Sequence, residues 1–474
     1  MSGKGTVSMN WFARAVPSLL LIGVLLCTPP VPLHGLAPAD DPLVLVTNVD
    51  VGGQPSAIVV DHHAGRNDVV FYDGDRVRFL DGDTLTVAPE QIVLPTREWE
   101  GWMAYDRVHH HTYVLTTRTR ETDLRVLWKE ARIHVVSARA TLATFSVNEG
   151  HNTDPNNPAD VSYAVGGLVL KQPLSEESDP ARLIVDDVEN GNVDVIDLDP
   201  AGTAVERAQR CSYRAPVSGF TRLNAGNTLA LESNHETLST DDLTTTDLLF
   251  IADKNRKDGV MFVEGRIRTI RLNHPLQDLN ATPLPDMDLS GTWPFGNGNE
   301  GLAMAGARDV LYVASGQQSF DDGYIAEANT TAGALKKLIT LQYGDLGSVH
   351  VDRTDPRRVF VVTFDGWYND PHQGLYLHLL YDGTVVDSLR LMEDYDEYSG
   401  FRGMDFDPLN GRLYLTVGSS VMVVQVDDGD DPGPTCPKPL TGVAITGPGE
   451  GDVGTTYTLY AQPTPSDATQ PIDY

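Results

Sequence analysis

Cysteine is scarce in this chain: three among 474 residues. One of them, Cys27, lies in a leader-like N-terminus, which leaves Cys211 and Cys436. Export would permit a bridge between those two, but no disulfide framework can hold the fold. Basic residues are also few, 35 lysines and arginines against 66 aspartates and glutamates. So acidic a surface repels phosphate backbones and anionic lipid, which argues against nucleic acid and membrane surfaces as partners. No stretch has the 3.6-residue periodicity of a long amphipathic helix. The motifs of nucleophilic and metal-dependent catalysis that can be read from one segment are missing too: no Gly-x-Ser-x-Gly, no Walker loop, no His-Glu-x-x-His. That removes a positive case for an enzyme, although a site assembled from distant segments would leave no such motif.

The N-terminus has the parts of a secretion signal. Lys4 and Arg14 supply positive charge, Leu19 to Leu26 form an apolar core, and Ala37-Pro38-Ala39 offers a small-x-small cleavage site before Asp40. The apolar core falls short of the roughly 20 residues that span a bilayer, so a retained anchor is the lesser reading and no transmembrane segment is expected in the mature chain. Leu26 is bulky where a lipid-modified Cys27 would want a small neighbour. Residues 1–39 contain two basic and no acidic residues, which takes the formal charge from −31 to −33 for the remainder. A secreted or cell-surface protein is expected.

Beyond the leader, one pattern recurs: an apolar run ending near an Asp, a short turn, then a β-branched or aromatic run. The copies are Ala57–Asp61 with Val69–Phe71, Met103–Asp106 with Tyr113–Leu115, Leu302–Ala305 with Leu311–Val313, Val349–Asp352 with Val359–Val361, and Met404–Asp407 with Leu413–Leu415. A hairpin unit repeating about every 40–50 residues is the mark of a β-propeller. Seven blades are expected over 40–427, six or eight being the alternatives because the third and fourth match the pattern least well. The fourth is swollen by insertions, among them the Thr/Asp-rich Ser239–Asp247. Asn190-Gly191 in the third reads as a tight hairpin turn. The last blade runs out of chain after Val421–Val426, one strand short, while Leu43–Asn48 stands alone before the first. Pairing the two would close the ring and leave no free sheet edge there.

The run Asn190-Gly191-Asn192-Val193-Asp194-Val195-Ile196-Asp197 resembles the YVTN-type propeller repeat of exported bacterial surface proteins, and the fifth and seventh copies are similar to the related NHL-like repeat. The resemblance covers roughly 43–427. It implies the fold; propellers of this kind host lactonases, lyases, metal-dependent hydrolases and plain binding proteins. After Val426 comes an acidic Pro/Gly linker, 428–439, and then 440–474, where Gly442–Thr446 and Thr455–Tyr460 alternate as two strands. That segment resembles the start of an Ig-like or PKD-like module. It is too short to complete a sandwich of about 100 residues, and a longer parent protein is expected.

Aligning the copies locates a candidate site. Residues just before the innermost strand of each blade ring one mouth of the central tunnel, and the alignment places Ser56, Gly101, Glu300, Gly347 and Arg402 there, with Glu100 and Asn299 one residue earlier. Glu100, Trp102, Asn299, Glu300 and Arg402 are the candidate ligand-binding set. Glu300 with Asn297 and Asn299 could offer oxygen ligands to Ca²⁺, and Asn297–Gly301 resembles the Glu-Gly start of the innermost strand in regucalcin-like lactonases. The alternative is that Glu300 and Arg402 close the mouth by polar contacts. Trp99, Trp102, Trp367, Tyr368 and His372 are the aromatic supply near these loops and would suit a sugar or peptide; blade packing is the competing role for Trp102. His62-His63 and His109-His110-His111 invite a metal. Neighbours on an extended chain point to opposite faces, however, and a solvated turn is expected. Asp194, Asp197 and Asp199 lack the Gly and final Glu of a calcium loop and read as turn acids. The expected function is a monomeric binding module for a small molecule, glycan or protein, and the rival is a Ca²⁺-dependent lactonase or hydrolase at the tunnel mouth.

Overall fold

A computed structural model of the chain describes residues 42–63, 65–94, 101–122, 125–147, 165–173, 181–187, 191–213, 229–235, 246–257, 260–273, 282–283, 285, 287, 299–305, 309–315, 322–342, 345–365, 373–393, 401–427, 442–446 and 460–464. Among them there is no helix, and so none long and apolar enough to cross a membrane. Seven four-stranded antiparallel sheets follow one another along the chain.

Blade 1 is β2 (Pro55–Asp61), β3 (Asp68–Asp73), β4 (Arg76–Asp81) and β5 (Thr86–Val93), and blade 2 is β6 (Gly101–Asp106), β7 (His111–Thr122), β8 (Arg125–Ser137) and β9 (Ala140–Ser146). Blade 3 is β10 (Val165–Lys171), β11 (Arg182–Asp187), β12 (Asn192–Leu198) and β13 (Val205–Ser212); blade 4 is β14 (Leu229–His235), β15 (Thr246–Lys257), β16 (Val260–Asn273) and β17 (Thr282–Pro283). Blade 5 is β18 (Asn299–Ala305), β19 (Val310–Ser315), β20 (Asp322–Asn329) and β21 (Ala334–Gln342), and blade 6 is β22 (Asp345–Val351), β23 (Arg358–Asp365), β24 (Gly374–Tyr381) and β25 (Thr384–Met392). Blade 7 is β26 (Phe401–Asp407), β27 (Arg412–Val417) and β28 (Ser420–Val426), completed by β1 (Leu43–Asp50). The first strands of successive blades pack side by side, and β26 packs on β2, so the circle is complete.

The burial pattern explains why inner strands read as continuous apolar runs. All seven residues of β2 are buried, whereas β5 at the rim is mostly half-exposed or exposed. A strand covered on both faces has no solvent side on which to place polar residues. The buried side chains fall into seven clusters, each bridging two adjacent blades: Ile58, Val69 and Phe71 of blade 1 meet Tyr414 and Val423 of blade 7, and Val70, Tyr72 and Phe79 meet Tyr105 and Val114 of blade 2. The other five fill the remaining gaps in turn. The circle therefore closes with no blade-to-blade interface left unpacked.

The closing strand behaves as expected. β1 runs antiparallel to β28 from Leu43↔Val426 to Asp50↔Ser420, with one irregularity between Leu45 and Thr47. Asp427 N donates to Pro42 O at 2.8 Å, Val51 N to Ser419 O at 3.0 Å, and Leu43 N to Asp387 Oδ2 of blade 6 at 2.8 Å.

The recurring Asp caps a turn. Asp106 Oδ1 accepts from Val108 N (2.9 Å) and His109 N (3.1 Å), Asp352 Oδ1 from Thr354 N (2.7 Å), and Asp407 Oδ1 from Leu409 N (2.9 Å). Such Asx turns supply the hydrogen bonds that the backbone cannot make with itself where the hairpin reverses. Blade 3 departs from the pattern. Lys171 stands at that position, paired across the ladder with Arg182, and both are almost fully buried. Their charges are met by Asp247 of blade 4, 3.2 Å from Lys171 and 3.4 Å from Arg182, and by Asp197, 2.7 Å from Arg182. Asp247, read from the sequence as the end of the Ser239–Asp247 insertion, is thus fully buried in β15.

Two further expectations need adjusting. Asp187 pairs with Asn192, so the loop containing Asn190-Gly191 has four residues rather than two; Gly191 supplies its positive φ of 65°. In the C-terminal segment β29 (Gly442–Thr446) pairs with β30 (Tyr460–Thr464), so the second strand begins where the expected Thr455–Tyr460 ends. Cys211 is a buried free thiol, its pKa pushed up to about 11 by burial and then by Asp194; Cys436 lies outside the described residues.

Candidate functional site

A tunnel of about 670 Å³ runs through the ring, lined by residues of the innermost strand of every blade. All seven innermost strands start at one mouth, called upper here, and end at the other.

The positions aligned from sequence at the upper mouth share a structural property. Ser56, Glu300, Gly347 and Arg402 are each skipped by the ladder: the register jumps between Pro55 and Ala57, Asn299 and Gly301, Leu346 and Ser348, and Phe401 and Gly403. Blade 3 has the same jump between Val165 and Gly167, so Gly166 joins the set. Each is a β-bulge, where two residues face one partner and the extra one is released from the ladder. Gly101 differs, because β6 pairs regularly from its first residue. Its amide instead donates to Ser56 Oγ at 3.2 Å, and a Cβ there would lie 2.5 Å from the fully buried Tyr72 ring. Glycine is what allows β6 to approach blade 1.

Of the candidate binding residues, Arg402 is half-buried and lines the tunnel, with no ion pair or hydrogen bond to another described residue. Trp102 also borders the tunnel but is 8 % exposed and belongs to the cluster between blades 2 and 3, which is the packing role. Asn299 and Glu300 are placed by backbone at the start of β18, with Glu300 at the bulge. Glu100, Asn297, Trp99, Trp367, Tyr368 and His372 lie outside the described residues. Among the described residues no group of three His, Cys, Asp or Glu side chains is placed to hold a metal ion.

The histidine runs are bracing rather than the solvated turns expected. His109 Nδ1 lies 2.7 Å from Asp106 Oδ2, His110 Nδ1 2.9 Å from the Tyr105 hydroxyl, and His62 Nε2 3.2 Å from Asp407 Oδ1. His109 and His111 stack at 5.7 Å on one side, while His110 turns away to meet His63 edge-on at 5.1 Å. The turn 199–204 of blade 3 covers them: Tyr113 donates to Gly202 O at 3.0 Å, and a Cβ on Gly202 would lie 2.7 Å from that hydroxyl. Burial raises the Asp61 carboxyl above its ordinary range, opposed by its hydrogen bond from Tyr105. Of the three expected turn acids of blade 3 only Asp199 caps a turn, its Oδ1 accepting from Thr203 N at 2.6 Å and Ala204 N at 2.8 Å. Asp194 and Asp197 lie buried within β12, where Asp194 accepts from Arg210 at 3.0 and 3.1 Å and Asp197 from Arg182.

At the lower mouth stand residues that the alignment did not single out: Arg107, Gln172, His350, Arg353 and Asp405. Asp405 Oδ2 accepts from Val60 N at 2.8 Å, and its Oδ1 from Phe406 N at 3.1 Å with His350 Nε2 at 3.5 Å, which ties blades 6, 7 and 1 together. Burial, ahead of the opposing pull of Asp405, lowers the His350 pKa. The sequence signal was an Asp-Arg pair, 106–107 and 352–353, ending two of the five repeat copies.

Fold and tunnel together define the class: a seven-bladed β-propeller with an open, polar-mouthed channel. No family model matches the chain, and no curated protein matches it. A chain in a solved structure described as "Crystal Structure of Mitotic Checkpoint Complex" is similar over 90 % of this chain and 99 % of its own length, at 10 % identity and a TM-score of 0.49.

Proposed function

We propose that this protein is an exported, surface-exposed binding module that takes its ligand at the upper mouth of the propeller. The observation carrying this reading is the ring of bulges at Ser56, Gly166, Glu300, Gly347 and Arg402, five residues released from their ladders around one opening. Bulges concentrate where a side chain must be re-aimed toward a site, and Arg402 has no internal partner among the described residues. A small molecule, a glycan or a protein loop fits an opening of this size and polarity. The leader-like residues 1–39 support export, and the YVTN-like repeat supports a surface role.

Calorimetry of the full chain against a glycan and peptide panel tests the reading. A ligand is expected whose affinity drops at least tenfold in Arg402→Ala with the melting temperature unchanged. Panel binding that ignores Arg402→Ala removes the upper mouth from consideration. The rival hydrolase reading rests on Glu300 at its bulge, and calcium titration separates the two: a tight site abolished by Glu300→Ala, with a melting temperature that falls in chelator, would select it.

A further inference from the structure

The lower mouth ends in two arginines that the fold does not use. Arg107 follows Asp106 at the end of β6, and Arg353 follows Asp352 just beyond β22, so blades 2 and 6 present them at equivalent points of the repeat. Blades 1 and 7 lie between these two on the shorter way round the ring, so the side chains come from facing walls of the tunnel. Both line the cavity and both reach water, and among the described residues neither guanidinium has a hydrogen bond or an ion pair. Several arginines elsewhere are committed: Arg139 to Asp68, Arg182 to Asp197, Arg210 to Asp194, Arg358 to Asp352.

Their backbones, in contrast, are held firmly. Arg107 N donates to Gln172 Oε1 at 3.0 Å, and Gln172 Nε2 donates to Tyr105 O at 2.7 Å, so blade 3 clamps the Arg107 turn. Arg353 sits in the turn capped by Asp352, which accepts from Thr354 N at 2.7 Å and from Arg358 at 3.1 Å. Asp405, the acid at this mouth, already receives two backbone amides and faces His350. Partial desolvation at the mouth and then the like charge of Arg353 hold the Arg107 pKa below its ordinary value, against the opposing pull of Asp405 and Asp352. A guanidinium stays charged regardless, so two cations repel each other across a channel in a molecule of formal charge −31. The wall above them carries half-buried apolar side chains, among them Met103, Val169, Leu231 and Ala303.

We propose that Arg107 and Arg353 form an anion site that takes an organic carboxylate, its headgroup between the guanidiniums and its apolar body lying up the tunnel. Planar guanidinium donors match a carboxylate in a way no lysine would. The site lies at the end of the tunnel opposite Arg402 and stands or falls independently of the upper-mouth reading.

The probe is sodium hexanoate, titrated calorimetrically into the full chain, with hexan-1-ol as the apolar body without charge and inorganic phosphate as a bare anion. Hexanoate is expected to bind at least tenfold more tightly than either, and added salt is expected to weaken it. Arg107→Gln and Arg353→Gln, both exposed positions whose loss spares the core, are each expected to weaken hexanoate at least tenfold. Arg76→Gln, on the outer part of blade 1, is expected to leave it unchanged. Absence of hexanoate binding at millimolar concentration, phosphate binding as tightly as hexanoate, or glutamine variants that bind hexanoate as tightly as the wild type would each overturn the proposal.

Discussion

Two histidines show how single residues set this molecule's response to acid. His134 in β8 lies 3.2 Å from Thr116 Oγ1 and 3.0 Å from Thr144 Oγ1; His378 in β24 lies 2.9 Å from Thr363 Oγ1 and 2.8 Å from Ser388 Oγ. The arrangement is the same in blades 2 and 6, a third-strand imidazole between hydroxyls of the second and fourth strands. A neutral ring offers one donor and one acceptor, and two hydroxyls satisfy both. Burial lowers both pKa values to about 4. Between pH 4 and the unfolded value near 6.5 the unfolded chain therefore binds protons that the folded one refuses. Their contribution is complete above pH 6.5 and is lost as pH falls toward 4, on the order of 3 kcal/mol for each ring. Denaturant melts at stepped pH are expected to show a steeper acid loss in the wild type than in the His134→Gln/His378→Gln double variant; parallel curves would refute it. Arg182 is the other decisive residue. With Asp197 and Asp247 buried around it, Arg182→Met strands Asp197 and leaves Asp247 to Lys171, and a loss of about 3–5 kcal/mol in the same melts is expected.

At the scale of elements, much of the fold could be read in advance. Every repeat copy proved to be the first two strands of a blade, because strands covered on both faces need uninterrupted apolar residues and their turns need an acid. Blade 3 hid its innermost strand for the same reason in reverse: Lys171 occupies the acid's place, and its compensation, Asp247, comes from another blade. No local pattern announces a pair made between blades. The bulges were half legible. The alignment found four of the five positions, but it took Gly101, which pairs regularly, and missed Gly166, whose blade lacks the guiding Asp. The lower-mouth arginines were overlooked because each belongs to an ordinary turn, and only ring closure brings blades 2 and 6 face to face. The closing strand could be inferred from a count of strands alone. Deleting residues 42–50 removes β1 and bares the edge of β28. A lower melting temperature and concentration-dependent aggregation in light scattering are expected, since an unpaired edge templates further pairing.

For the molecule as a whole, seven inter-blade clusters share the work of holding the circle, and the tunnel is what remains at the centre when none of them fills it. The clasp that joins the ends of the circle also has a direction. Leu43 pairs with Val426 at the same end of the ladder from which both strands lead out, and Asp427 is bonded to Pro42. A pull applied between residues 42 and 427 therefore loads these hydrogen bonds one after another, as in opening a zipper, and never all together in shear. A ring that resists heat through seven cores would, under tension between its two ends, yield first at a single seam, strand β1 peeling away while the other six blades stay folded.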